Sequence, residues 1–141
     1  MTIGKILSFS TLSILLAACG ATGKSFSSLE APAEGQSKLY VYRSPSLKGS
    51  AIHYDVYAGE HKIGNIRNGG YLSKELAPGE YEIWAKTEAR RSVTIPLRAN
   101  EIQCVKASVG FGAFVGRPKL ESVSLDQCKA EIAATKESLD I

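Results

Sequence analysis

Residues 68–88 read NGGYLSKELAPGEYEIWAKTE, and this stretch decides the fold. After APGE, Tyr81, Ile83 and Ala85 alternate with Glu82, Trp84 and Lys86. A period of two puts successive side chains on opposite faces, which is the pattern of a half-buried strand. Pro78 pre-sets φ, and Gly79 is free to adopt φ > 0, so a type II turn is expected between two antiparallel strands.

Working outward, the same signal recurs on both sides. Upstream, AIHYDVYAGEHKIGNI reads as a hairpin: Ile52, Tyr54 and Val56 share one face, His53, Asp55 and Tyr57 the other, and AGEH supplies the turn. Before it, KLYVYRS sets Leu39 and Val41 against Tyr40 and Tyr42. Downstream, RSVTIPLRA aligns Val93, Ile95 and Leu97, while Pro96 removes a ladder donor and marks an edge strand or a bulge. EIQCVKASVG and KLESVS add two more strands. The last segment, SLDQCKAEIAATKESL, changes period. Leu125, Cys128, Ile132, Thr135 and Leu139 recur at threes and fours, and Ser124 with Gln127 forms a capping-box pattern, so a helix is expected. The fold class read from these signals is mainly β: a single antiparallel β-sandwich of about seven short strands with one C-terminal α-helix.

The amino terminus has another logic. Lys5 precedes an apolar run, Ile6 to Leu16, too short for a membrane span and of the length of a signal-peptide core. It ends in Leu16-Ala17-Ala18-Cys19. That tetrapeptide resembles the lipobox of bacterial lipoproteins, which implies cleavage before Cys19 and acylation of its thiol. Diacylglyceryl and palmitate chains together anchor stably where one chain would not. Gly20 follows the cysteine where aspartate would favour inner-membrane retention, so the resemblance implies the outer membrane, facing the periplasm. The expected organisation is a signal peptide over 1–18, an acylated cysteine and flexible tether over 19–37, and the sandwich over 38–141. The tether is rich in Gly, Ser, Ala and Pro, and as a random coil would span roughly 25 Å.

The chain carries +3, falling to +2 once Lys5 is removed, with both signs interspersed. No basic block is present to neutralise a polyanion, so nucleic acid is not an expected partner. No cofactor is expected.

The motifs YVYR (40–43), YDVY (54–57), IGNIRNGGY (63–71), APGEYEIWAKTE (77–88) and SVGFGAFVGRPKLE (108–121) resemble those of a bacterial lipoprotein family with a β-sandwich domain, the domain of unknown function 2846. The PGEY element also resembles transthyretin-like sandwich domains. The resemblance implies fold and address, and implies a module that binds or presents.

Candidate chemistry is sparse. His53 and Asp55 share a strand face, and a small periplasmic hydrolase or metal-dependent enzyme would need His61 or a serine to join them. The expectation is instead a polar strand face and no metal site. GFGAFVGRP lacks dinucleotide-fingerprint spacing, and its glycines suit a bend, while Phe111, Phe114 and Val115 are candidates for contact with a partner. Trp84, Tyr57, Tyr40 and Tyr42 lie opposite their strands' apolar sets, an aromatic surface unless the helix covers them. With Cys19 used for lipid, Cys104 and Cys128 form an even pair for a disulfide in an oxidising compartment. The function expected is a lipid-anchored, non-catalytic envelope lipoprotein, a binding or assembly module held to the membrane through Cys19 and meeting an envelope protein or cell-wall partner.

Overall fold

Alternation along each run buries one face and leaves backbone donors to pair laterally, and the computed structural model pairs them into two sheets. It describes residues 20–111 and 116–140. The strands are β1 (Ser37–Tyr42), β2 (Tyr54–Ala58), β3 (His61–Ile66), β4 (Gly70–Leu76), β5 (Gly79–Lys86), β6 (Arg90–Leu97), β7 (Ile102–Phe111), β8 (Gly116–Val123) and the short β9 (Lys136–Glu137), with one helix, α1 (Leu125–Ile132), before β9. The sheets run β8-β7-β1-β4-β9 and β3-β2-β5-β6. The chain is thus a β-sandwich with a C-terminal helix. Two details depart from expectation. There are nine strands among the described residues, and the pairs β1–β7 and β4–β9 are parallel within an otherwise antiparallel arrangement.

The core between the sheets is built by the inward positions the alternation names: Leu39, Val41, Tyr54, Val56, Ile83, Ala85, Ile95 and Leu97, met by Val105, Ala107 and Leu120 from β7 and β8. Pro96 lies on β6, an edge strand, the place in a sheet where proline is tolerated. The β2–β3 turn uses Gly59 at φ 56°, a left-handed conformation that favours glycine. The turn before β5 corrects the type II expectation. Gly79 is not among the positive-φ residues and already pairs with Leu97 as the first residue of β5. The Tyr81 hydroxyl closes that corner by donating to the Ala77 carbonyl at 2.7 Å.

A second apolar cluster lies on the outer face of the five-stranded sheet. Tyr40, Tyr42 and Cys104 project there and are covered by Cys128 and Ile132 of the helix, with Phe26 and Leu29 packed alongside. Ser124 caps the helix by accepting from the Gln127 N–H at 3.2 Å. The helix is shorter than its sequence stripe: it stops at Ile132, and the chain turns so that residues 136–137 add to β4 as a strand. Leu125 and Leu139, expected on the buried stripe, are each 39% exposed, while Thr135 is buried through the turn. The Cys104 and Cys128 Sγ atoms are 2.11 Å apart, with Cα atoms at 6.2 Å, so the helix is bonded to β7 by a disulfide.

The expectation of a flexible tether over 19–37 is corrected by the same face. From Gly20 the chain runs the full length of the sheet as a strap. Gly20 bridges Asn68, Ser25 bridges Lys136, and the Phe26 N–H donates to Thr135 at 2.9 Å. The Phe26 ring meets Tyr71 edge-on at 5.3 Å and Tyr40 at 6.4 Å. Composition alone misses this, because a few backbone bonds to an open edge and one aromatic anchor suffice to order a glycine- and serine-rich segment. The strap ends at the far end of the sheet, where Gly35 N–H donates to the Asn100 side chain at 2.8 Å and the chain reverses into β1.

Candidate functional site

The outer face of the four-stranded sheet carries a row of three side chains of the types that dominate protein contacts. Strand parity turns Trp84 outward from β5, and register sets it opposite Tyr57 of β2. Their rings stack at 4.4 Å with 12° between planes. From the other neighbouring strand the Arg90 guanidinium sits 4.0 Å from the indole centroid, a cation–π geometry, and it pairs with Glu82. The indole Nε1 donates to the Gly59 carbonyl at 2.9 Å. A shallow cleft of about 360 Å³ is lined by these residues with Gly59 and Glu60. Trp84 is therefore held between a ring from β2 and a cation from β6, with its polar handle satisfied by backbone. Tyr57 and Trp84 are half-buried and Arg90 is exposed, and the row is rimmed by the carboxylates of Glu82 and Glu60.

The four aromatics grouped by the sequence pattern divide between the sheets. Tyr40 and Tyr42 are buried beneath helix and strap, whereas Tyr57 and Trp84 stay half-buried on the open face. Burial, followed by the Glu131 carboxylate, pushes the Tyr42 phenol up to about 12. Glu131 is itself held below the usual carboxylate range, mainly by a hydrogen bond from Lys106, with which it forms an ion pair between helix and β7.

One end of the sandwich shows other contact-competent residues. Phe111, at the end of β7, is 48% exposed, and Leu47 in the β1–β2 connection is 96% exposed. Lys48 Nζ stands 4.7 Å over the Phe111 ring. The connection is held by Arg43, which is buried and donates to the carbonyls of Ile52 at 2.5 Å and Gly49 at 2.7 Å. Burial lowers the pKa of Arg43. Phe114 and Val115 lie outside the described residues, as does Cys19. Of the glycines in GFGAFVGRP, Gly110 and Gly116 lie in strands, with Phe111 paired to Gly116 across the hairpin.

The alternative catalytic set does not converge. His53 precedes β2 and is exposed; His61 pairs with Ala58 at the other end of that strand, roughly 16 Å away at strand rise. Asp55 is engaged by Asn65 Nδ2 at 2.9 Å and by Lys62 at 3.5 Å. Among the described residues no group of three His, Cys, Asp or Glu side chains is placed to hold a metal.

Sequence reasoning missed Arg43 and Arg90. Arg90 was findable once β5 and β6 were read as a hairpin, since its register puts it diagonal to Trp84 on the same face. Arg43 carries no local signal, because its role depends on carbonyls turned inward by a loop.

Comparison with known proteins adds kinship. The model of the family described as "Protein of unknown function (DUF2846)" matches residues 33–117. An uncharacterised protein of Haemophilus influenzae is 30% identical over 133 residues, covering 86% of this chain and 77% of its own length. No solved structure matches.

Proposed function

We propose that this chain, which belongs to the DUF2846 family, works as a lipid-anchored, non-catalytic binding module of the cell envelope, with the Tyr57–Trp84–Arg90 row as its partner-contact surface. One observation carries the reading. Tryptophan, tyrosine and arginine, the residue types enriched in interface hot spots, are lined up on the one sheet face that no described helix covers. The address rests on the LAAC motif ending at Cys19, and a disulfide between Cys104 and Cys128 accords with an oxidising compartment. The outer membrane, on its periplasmic side, is the site this reading assigns. The partner class is an envelope protein, because a prestacked indole offers an edge and a rim rather than a free ring face.

Two measurements test it. Cys19→Ala should abolish incorporation of labelled fatty acid and release the protein from membranes; label retained by that variant would sink the anchor. Trp84→Ala should remove, by quantitative mass spectrometry after cross-linking in cells, the partners recovered with the wild-type chain, while circular dichroism stays unchanged. Identical partners from both would remove the row from the contact surface.

A further inference from the structure

The position of Gly20 fixes which end of the sandwich meets the membrane. This inference rests on the lipid-anchor reading of Cys19. Gly20, the residue that follows that cysteine, bridges Asn68, and the Ala21 N–H donates to the Asn68 carbonyl at 3.0 Å. The Asn68 side chain also accepts from the Ser46 N–H at 2.9 Å. One residue thus ties the start of the strap to the loop that presents Leu47 and Lys48. Phe111 is at the same end, since β7 runs parallel to β1 and Lys48 reaches over its ring.

We propose that the domain stands end-on against an anionic lipid surface, with Leu47 and Phe111 entering the headgroup boundary and Lys48 at its level. Leu47 and Phe111 are two of the large apolar side chains left exposed, and they flank the point where the anchor would leave. Charge divides the same way. This end carries Lys48, Lys86, Arg91 and Arg117, with Glu88 opposing them. The opposite end carries five carboxylates, Glu34, Glu60, Glu75, Glu80 and Glu101, against three cations, Lys38, Lys74 and Arg98, the last paired to Glu101. Apolar tips among cations are the composition that binds an anionic interface, and an acidic far end is repelled from it. Because the strap is bonded along the sheet, no slack remains between anchor and domain, so the lipid holds the domain by this end. The Tyr57–Trp84–Arg90 row then faces sideways, parallel to the membrane.

The test uses the full-length chain matured in bacteria and reconstituted in vesicles of phosphatidylethanolamine with phosphatidylglycerol. Photo-cross-linking p-benzoylphenylalanine replaces either Leu47 or Glu60, both exposed, the second at the far end. After illumination, mass spectrometry reads lipid adducts, and it separately reads the acylated N-terminal peptide. About tenfold more adduct at position 47 than at 60 is expected, given burial of only the near end. Equal yields on an acylated chain would overturn the orientation and leave the anchor standing. An unmodified N-terminal peptide would remove the anchor, and the orientation with it.

Discussion

The outer face of the five-stranded sheet and that of the four-stranded sheet start from the same raw material and end differently. Each presents outward-pointing aromatics on neighbouring positions: Tyr40 with Tyr42 on one, Tyr57 with Trp84 on the other. The first pair is sealed by the helix, the disulfide and Phe26 of the strap. The second pair is braced only by its own sheet, through Arg90 and the Gly59 carbonyl. Whether a strand's outward face becomes core or surface is decided by segments before and after the sheets, not by the strand's own pattern. The sealed face supplies a second, smaller core beside the one between the sheets; the open face is covered by no described helix.

Breaking the seal should have the largest effect. Replacing Cys104 and Cys128 by alanine frees a cross-link spanning 24 residues. The chain-entropy estimate for such a loop is about 3.5 kcal/mol. For a domain of this size the melting temperature should fall by about 10–15 °C, read by circular dichroism. An unchanged melt would mean that α1 is held by packing alone.

The two faces are compared directly by single truncations. Ile132→Ala, in the fully buried cluster, should cost about 3 kcal/mol. Trp84→Ala should cost about 1 kcal/mol, the value of one stacked aromatic pair. Urea midpoints measure both. Equal losses would make the open face a structural core and weaken its reading as a contact surface.

The strap can be lifted by one methyl group. A Cβ added at Gly23 would lie 2.5 Å from the Glu137 carbonyl oxygen, so the backbone must move apart. Gly23→Ala should cost roughly 1 kcal/mol. Amide exchange should quicken at Phe26 and Glu137, whose N–H groups bond across this contact, and stay slow in the β5–β6 hairpin. Uniform exchange in wild type and variant would show that the strap does not depend on this close approach.

The smallest effect is electrostatic. Glu131 has its folded pKa lowered, first by the hydrogen bond from Lys106, from an ordinary value of 4.5. Its contribution is therefore present above that value and lost as pH falls through the folded pKa. The pair is partly exposed, so a few tenths of a kcal/mol is the scale. Glu131→Gln should flatten the acid limb of stability against pH. At the alkaline side Tyr42 acts in the opposite sense: its phenol, raised from 10.0 to about 12, binds its proton more tightly when folded. Stability should hold below pH 10.0 and fall as pH rises through about 12, and Tyr42→Phe should lessen that fall, the remainder coming chiefly from Tyr54, whose phenol burial also pushes up to about 12.

Much of this molecule is written locally. Alternation around 68–88 and its neighbours is enough to assign strands β1 to β8, the core-facing residues and the serine cap of the helix, because each depends on periodicity or on contacts within a few residues. The pairing of Cys104 with Cys128 is also legible, since they are the even pair left once Cys19 is set aside and Cys128 lies on the helical stripe. Other features depend on residues distant in sequence meeting in space. The parallel β1–β7 pairing, the helix that stops at Ile132 to let β9 join β4, the strap from Gly20, and the union of Tyr57, Trp84 and Arg90 from three strands carry no local signature. Edges left open by one part of the chain attract backbone from another, and only tertiary structure decides which part arrives. Sequence alone thus determined a β-sandwich with one inner core; tertiary packing decided which outer face became a second core and which stayed open, because burial there requires a partner segment that the strand itself does not contain.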